Sequence, residues 1–269
     1  MTGVDRPDAP PVTEKPDEAI LSPGVHCQVE VDASSPVVRL TGVLDTASAA
    51  GVRDALLARL CDRPGPVVAD LSGLRVADLA GRDVFAEVRR EVADWPAADL
   101  LLCNPAVADP GQPGAAMAGV PAWPTLDGAL AAVAAAPLAA VLTADLEPTV
   151  GAARQAREMV ATGCQRWDLP TLVEPASIAI TEMVNNVVAH AGTSMTIRLA
   201  PQDNVLHLAV RDHSTGQPAF VGLAPTTRTG GRGLLLIDTV ARRWGSSPVP
   251  DGKVVWCVLH PDDETAALG

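Results

Sequence analysis

The sequence contains no tyrosine and few other aromatic residues, with 2 Phe and 5 Trp among 269 residues. Proteins that bind single-stranded nucleic acid stack bases on aromatic side chains, so this scarcity argues against such a role. Basic residues are also few: 20 Lys and Arg stand against 32 Asp and Glu, a formal net charge of −12. So acidic a chain cannot neutralise phosphates over a broad face, which argues against direct nucleic-acid binding and against an anionic membrane surface.

Long hydrophobic runs and closely spaced cysteines are missing as well. The stretch most like a membrane span, Gly128 to Ala144, is interrupted by Pro137 and is shorter than the ~20 residues that a crossing helix needs. The N-terminal residues lack the basic start and apolar core of a secretory signal. The cysteines and histidines show no metal-binding spacing, so we predict reduced, mostly buried thiols and no histidine ligand. We therefore expect a cytoplasmic protein with no membrane partner.

Composition divides the chain into a tail and two domains. Residues 1–24 carry five prolines and an acidic balance, a composition typical of disorder. From residue 37, short β-rich runs, among them Leu100 to Cys103, alternate with amphipathic helical segments, which predicts an α/β domain over residues 25–136. The first helix is expected to start at the Asp45-Thr46 cap. The residues expected to be buried are Val52, Leu56 and Leu60 on this helix and Val84, Val88 and Val92 on the next. A linker is expected near residues 136–140, and a second domain over 137–265.

The second domain has a different predicted order of helices and strands. A strand over 139–143 and an amphipathic helix after Pro148 open it, and a second helix runs from about Pro175 to His190. Three strands and a last helix, from Leu234 to Arg243, follow. The three predicted strands are 194–199, 205–210 and 254–259.

Glu182, Asn186 and His190 recur every four residues on the predicted Pro175–His190 helix. Each step advances about 40° around an α-helix, so the three side chains share one polar stripe. A carboxylate one turn from an amide oxygen suits a general base beside a ligand for Mg²⁺, which takes few protein ligands. The alternative is an ordinary solvated helix face, with a histidine that the helix dipole favours at the C-terminal end.

Two further motifs follow along the chain. Asp212 comes just after a predicted strand and Gly216 four residues later, so the carboxylate could accept a hydrogen bond from a purine amino group while the glycine permits close approach. Taken alone, this pattern also fits a routine turn. Gly230, Gly231 and Gly233 precede a helix whose N–H groups could hold phosphate, although their spacing fits neither the P-loop nor the dinucleotide motif.

The three motifs in this order resemble those of the anti-sigma-factor serine kinases, whose fold is shared with gyrase, histidine-kinase and heat-shock-chaperone ATPases. The resemblance covers about residues 140–260 and implies an α+β histidine-kinase-type ATPase sandwich. The matching segments are Thr181-Glu182-Met183-Val184-Asn185-Asn186, Arg211-Asp212-His213-Ser214-Thr215-Gly216 and Thr229-Gly230-Gly231-Arg232-Gly233-Leu234.

The resemblance implies that ATP and Mg²⁺ bind here, with Glu182 as the general base for a substrate serine, Asn186 as the Mg²⁺ ligand and Asp212 as the adenine-binding carboxylate. Residues 217–229 would form a lid over the nucleotide. One departure is Ser214, which replaces the first of two glycines in the family's Asp motif. The other positions implied to bind the nucleotide are His190, Gly216, Arg228, Gly230, Gly231, Arg232, Gly233 and Leu234.

Residues 25–136 resemble a STAS domain, the α/β fold of anti-sigma-factor antagonists, through Leu40 to Thr46 and Val67 to Leu74. The family's phosphorylatable serine precedes a glycine; here Ala80 precedes Gly81, and no Ser or Thr occurs from residue 75 to 95. The domain is therefore either a remnant or a docking surface that phosphorylation cannot release. Asp78 and Asp83 could imitate phosphoserine charge, but acids near a helix N-terminus are ordinary.

These resemblances favour an enzyme: a partner-switching serine-protein kinase that binds a sigma factor or phosphorylates a separate STAS antagonist, and that could pair with a second copy. The alternative is a non-catalytic, nucleotide-responsive scaffold that sequesters a sigma factor or antagonist. A gyrase-type ATP hydrolase is a third interpretation, disfavoured because no separate transducer domain is present.

Overall fold

The computed structural model describes residues 28–31, 35–104, 119–135, 141–216 and 232–261. The expected disordered tail, the expected linker near 136–140 and the expected lid over 217–229 lie outside the described residues. So do Arg228, Gly230 and Gly231. For Arg232, Gly233 and Leu234 only the backbone is described.

The first domain contains a five-stranded sheet. β1 pairs antiparallel with β2, and the remaining neighbours pair in parallel, as expected where helices connect the strands. The predicted α/β class is confirmed, but β1 and β5 were not expected from the sequence; β5 has two residues and follows a Pro- and Gly-rich segment. In spatial order the strands are β1 (Gln28–Val31), β2 (Val37–Leu44), β3 (Val67–Val76), β4 (Leu100–Cys103) and β5 (Ala122–Trp123).

Helices cover both faces of this sheet. α1 (Thr46–Asp62) and α2 (Leu79–Val92) pack on one face, and α3 (Leu126–Ala135) packs on the other. The predicted cap of α1 is confirmed, because the carboxylate of Asp45 accepts from the N–H of Ser48 at 3.0 Å. The predicted apolar stripes are confirmed as well: every one of their residues is buried, namely Val52, Leu56 and Leu60 on α1 and Val84, Val88 and Val92 on α2.

The second domain contains an antiparallel sheet of five strands in the order β6-β7-β8-β10-β9. The two-residue loop between β7 and β8 is Asp203-Asn204, both with positive φ, which fits the right-handed twist of a hairpin. The strands are β6 (Leu142–Leu146), β7 (Met195–Gln202), β8 (Val205–Asp212), β9 (Arg243–Val249) and β10 (Gly252–Leu259).

Two predictions for this domain are wrong. The first strand, β6, does not end at residue 143 but continues to Leu146, and its half-buried residues alternate with exposed ones; residues 139 and 140 of the prediction lie outside the described residues. The predicted helix Leu234–Arg243 is α6 over Arg232–Val240, and Arg243 instead opens β9. The N–H of Arg242 already bonds to the carbonyl of Val258 on β10 at 2.9 Å, so pairing with the sheet ends the helix earlier than its local pattern indicates.

Three helices cover one face of the second sheet: α4 (Ala152–Arg166), α5 (Val173–Asn186) and α6. Their apolar sides join the alternating residues of β7, β8 and β10 in a core that includes Ile180, Leu208 and Cys257. One layer of helices on an antiparallel sheet is the expected α+β sandwich, which is confirmed. Within the described ranges, no helix is both long enough and apolar enough to span a membrane.

The other face of the second sheet packs against the first domain. Ala209, Val249 and Val254 belong to the same apolar cluster as α1 and α2. Polar contacts surround this cluster: Arg198 donates to the carbonyls of Leu60, at 3.0 Å, and Cys61 at the end of α1. Arg211 donates to Asp62 at 2.7 Å, and the Nδ1 of His207 lies 3.0 Å from the carbonyl oxygen of Asp94.

The described cysteines are buried and free of disulfides, as the sequence predicts; they are Cys61, Cys103, Cys164 and Cys257. Burial raises the pKa of the Cys257 thiol to about 12, so it is protonated and unreactive at neutral pH. Cys27 lies outside the described residues.

Candidate nucleotide site

The helix expected to carry the polar stripe has two parts. α5 ends at Asn186, and a π-helical turn follows over Val187–Ala191, closed by Gly192 in the left-handed conformation (φ 64°). The N–H of Gly192 bonds to the carbonyl of Val187 at 2.8 Å, five residues back. The predicted α-helix to His190 therefore ends at Asn186, and His190 lies on the π turn that follows it.

Glu182 and Asn186 remain one α-helical turn apart on α5. Both are half-buried, whereas Met183 and Val184 between them are in the core. Within the described part of the chain, neither polar side chain has a hydrogen-bond or ion-pair partner. A carboxylate and an amide therefore stand at the edge of the core without a polar partner among the described residues. His190, on the π turn, is exposed.

Asp212 ends β8 on the same side of the sheet as the core residues Leu208 and Val210, and it is 1% exposed. Its Oδ1 accepts from the N–H of Ser214 at 2.8 Å, which is the local turn that its sequence context allows. The Ser214 hydroxyl in turn accepts from the N–H of Gly216 at 3.3 Å. Ser214 thus stabilises this turn at a position where the related family has glycine.

Lys253 lies directly opposite Asp212 in the pairing of β10 with β8. Its Nζ is 3.0 Å from Oδ1 and 2.9 Å from Oδ2 of Asp212, and 3.4 Å from the carbonyl oxygen of Ser214. Gly252 permits this approach, because a Cβ on Gly252 would lie 1.9 Å from the backbone oxygen of Asp212. The candidate purine-binding carboxylate is therefore part of a buried ion pair.

The fold brings the sequence-predicted elements together. α5 contacts β8, β10 and α6, so the helix with Glu182 and Asn186 lies beside the strand that ends at Asp212. Gly233 and Leu234 are in the first turn of α6, next to the same helix. The region thus brings together the polar side chains of Glu182 and Asn186, a buried carboxylate and the start of a helix.

The side chains at this site suit Mg²⁺ bound together with a nucleotide better than a metal ion held by protein ligands alone. Among the residues that the structure describes, no three His, Cys, Asp or Glu side chains converge as a metal site. Mg²⁺ keeps several water ligands and takes only one or two protein oxygens, and Asn186 supplies one amide oxygen. Glu182, one turn away, supplies a carboxylate that can accept a proton.

Sequence reasoning missed Lys253, although a signal for its position was present. Pro250-Asp251 followed by Gly252 is a turn signal between two strands, and it forms the loop of the β9–β10 hairpin. Recognising that hairpin would have placed β10 at Gly252. The register against β8, which sets Lys253 opposite Asp212, depends on tertiary pairing and was not available from local patterns.

Comparisons with known proteins find one family match in each domain. Residues 143–259 match the family described as "Histidine kinase-like ATPase domain", and residues 27–95 match the family described as "Mlab, STAS domain". A search of curated proteins found no significant match.

A solved structure of the RsbU and RsbW domains of Rv1364c from Mycobacterium tuberculosis is similar at 17% identity and a TM-score of 0.35. The alignment covers 45% of this chain and 32% of that chain, and a likeness of this size bears no weight on activity. The two family matches agree with the fold and with the motifs in each half. They support ATP binding and, in general terms, a partner-switching regulator. The chain thus combines an N-terminal STAS domain with a C-terminal histidine kinase-like ATPase domain.

Proposed function

We propose that this protein is an ATP-dependent serine-protein kinase of the anti-sigma-factor type, which acts on a separate STAS antagonist or binds a sigma factor. The observation that carries the proposal is the pair Glu182 and Asn186, one turn apart on α5 and without partners in the described part of the chain. Binding Mg-ATP alone does not require a carboxylate at position 182. Phosphorylation of a serine does require such a group, because the serine hydroxyl must lose its proton to a general base.

Each residue has a distinct task in this proposal. Mg-ATP, when bound, supplies the phosphoryl group. Asn186 contributes an oxygen ligand to the cation, and Asp212 accepts a hydrogen bond from the base of the nucleotide. Glu182 takes the proton of the target hydroxyl.

The target serine belongs to another protein in this proposal. The residue before Gly81 is Ala80, so the STAS domain of this chain has no hydroxyl at the position that the family phosphorylates. The carboxylate of Asp78 is occupied within the domain: Oδ1 accepts from the N–H of Gly81 at 2.7 Å, and Oδ2 from the N–H and hydroxyl of Thr46 at 3.0 and 2.8 Å. Asp78 therefore links the N-terminal ends of α1 and α2. This structural role explains an aspartate at position 78 without phosphoserine mimicry.

The STAS domain acts instead as a fixed intramolecular partner of the ATPase domain. It contacts the ATPase sheet through the C-terminal ends of α1 and α2, at Leu60 to Asp62 and at Asp94. The N-terminal end of α2, with Ala80, is 14 residues from that contact, a helix length of about 20 Å. The docked surface and the family's phosphorylation site are thus at opposite ends of α2.

Glu182→Gln separates a kinase from a scaffold because it keeps the size of the side chain and removes the base. The assay incubates the full chain with Mg-ATP labelled at the γ-phosphate and a purified STAS antagonist that carries serine at the position of Ala80. A kinase transfers label to that serine, and Glu182→Gln abolishes the transfer while ATP affinity is kept. If the wild-type chain binds ATP and transfers no label to any such antagonist, it is a nucleotide-responsive scaffold.

A further inference from the structure

Lys253 is an unusual residue in this chain. The sequence has 20 basic residues and only two of them are lysines, Lys15 and Lys253. Lys253 is 7% exposed, and its ammonium is paired with a carboxylate that is 1% exposed. Taking both charges out of water is unfavourable, so the pair is a costly feature to place in a core.

The hydrogen-bond capacity of the pair is not used up. Oδ1 of Asp212 accepts from the Ser214 N–H and from Lys253, whereas Oδ2, among the described residues, has only its ion-pair contact with the ammonium at 2.9 Å. A carboxylate oxygen has about two lone-pair sites, so Oδ2 has one left. The ammonium has three N–H bonds, of which one points to Asp212 and a second to the carbonyl of Ser214, at 3.4 Å. Within the part of the chain that the structure describes, one acceptor and one donor therefore remain side by side.

We infer that Lys253 determines the purine selectivity of this site by placing an ammonium donor beside the Asp212 acceptor, so that 6-oxopurine nucleotides are accepted as well as adenine nucleotides. The inference rests on the proposed function, in which a purine nucleotide binds at Asp212.

The chemistry of the two kinds of base explains the effect. Adenine has an amino donor at position 6, which a carboxylate can accept on its own. Guanine and hypoxanthine have an oxygen acceptor there, which an unpaired carboxylate repels. Beside Lys253, that oxygen receives the remaining N–H of the ammonium, and the neighbouring ring N–H donates to Oδ2 of Asp212. Adenine reverses these roles, since its amino group donates to Oδ2 and its ring nitrogen accepts from Lys253.

Calorimetric titration of the wild-type chain with ATP, ITP and GTP in Mg²⁺ tests the inference without any substitution. ITP has the 6-oxo group of GTP and lacks its 2-amino group, so ITP isolates position 6. We expect the Kd for ITP to lie within about tenfold of that for ATP, the difference of one modest hydrogen bond. ATP binding with no measurable ITP or GTP binding overturns the inference and leaves the proposed function intact.

Lys253→Met and Lys253→Arg test the residue itself. Methionine keeps the apolar stem and removes the donor, so ITP affinity should fall at least about tenfold further than ATP affinity, whereas arginine should keep both. Circular dichroism checks folding, because the methionine variant leaves a buried carboxylate unpaired; if that variant does not fold, the wild-type titrations decide.

Two other outcomes are decisive as well. If ATP binds the folded methionine variant more tightly than it binds the wild-type chain, Lys253 blocks the base and the inference is overturned. If no nucleotide binds the folded wild-type chain, the proposed function fails together with the inference.

Discussion

Arg198 on β7 donates a hydrogen bond over 3.0 Å to the backbone carbonyl of Leu60, in the last turn of α1, and so joins the ATPase sheet to the STAS domain. The last carbonyls of an α-helix have no partner within the helix, and a cation near them also interacts well with the helix dipole. Arg198 bonds to two of them, since Cys61 accepts as well. The contact between the two domains thus supplies hydrogen bonds to carbonyls that the end of α1 leaves without partners.

Replacing Arg198 with alanine should loosen this contact. The variant loses two hydrogen bonds from a charged donor and leaves two carbonyls unpaired, so we expect a loss of about 2 kcal/mol in the free energy of unfolding. Urea denaturation followed by tryptophan fluorescence measures it. Arg154→Ala is the matched control, because among the described residues Arg154 makes only an exposed ion pair with Glu158, and its loss should cost less than about 0.5 kcal/mol. Equal effects of the two substitutions would contradict the docking that the structure shows.

His207 makes the domain contact dependent on pH. Burial lowers the pKa of His207, while the carbonyl of Asp94 opposes that shift and Arg243 adds to it. The folded protein therefore binds this proton less readily than the unfolded chain, whose histidine has a pKa near 6.5. The contribution is favourable above that value, and stability falls as the pH decreases below it.

Unfolding midpoints at pH 7.5 and about pH 5.5 check this expectation. The wild-type chain should lose more stability over this interval than His207→Gln, which has no group to protonate at that position. Carboxylates that titrate near the lower pH affect both proteins equally. Identical pH dependence of the two proteins would show that His207 is not buried against Asp94.

Asp78 should be important for the stability of the STAS domain rather than for signalling. Hydrogen bonds from Gly81 and Thr46 lower the pKa of Asp78, so the carboxylate stabilises the fold above the usual aspartate range and loses that effect as the pH falls through its folded pKa. We expect Asp78→Ala to lower the melting temperature and Asp78→Asn to lower it less. Asp83→Ala is the control, since Asp83 is exposed on the same helix. Equal melting temperatures for the wild type and the three variants would argue against the role of Asp78 at the N-terminal ends of both helices.

Much of the fold was predictable from local patterns. The cap at Asp45, the stripes of α1 and α2 and the strand Leu100–Cys103 follow from periodicity and turn chemistry, which act over a few residues. β9 was missed because Gly245, Ser246 and Pro248 have the composition of a loop, and only pairing with β10 makes them a strand. The end of α6 was misplaced for the same reason.

The candidate site was predictable in part. Spacing alone set Glu182 and Asn186 on one face, and the structure keeps that relationship. The π turn at His190 was not predictable, because no residue in Val187–Ala191 signals a change of helical step. Arg198, His207 and Arg211 lie at the outward positions of ordinary alternating strands, which local patterns assign to solvent, yet a second domain covers that face.

The central claim, a magnesium nucleotide site on α5, is tested most directly by calorimetric titration of the full chain with ATP, with and without Mg²⁺, on the wild type, Asn186→Ala and Asn185→Ala. Asn185 is the exposed neighbour on the same helix and serves as the matched control. We predict binding that requires Mg²⁺, that weakens about tenfold or more in Asn186→Ala, as the loss of one charge-assisted contact implies, and that is unchanged in Asn185→Ala. Binding that depends on neither Mg²⁺ nor Asn186, or no binding to the folded chain, would contradict the central claim.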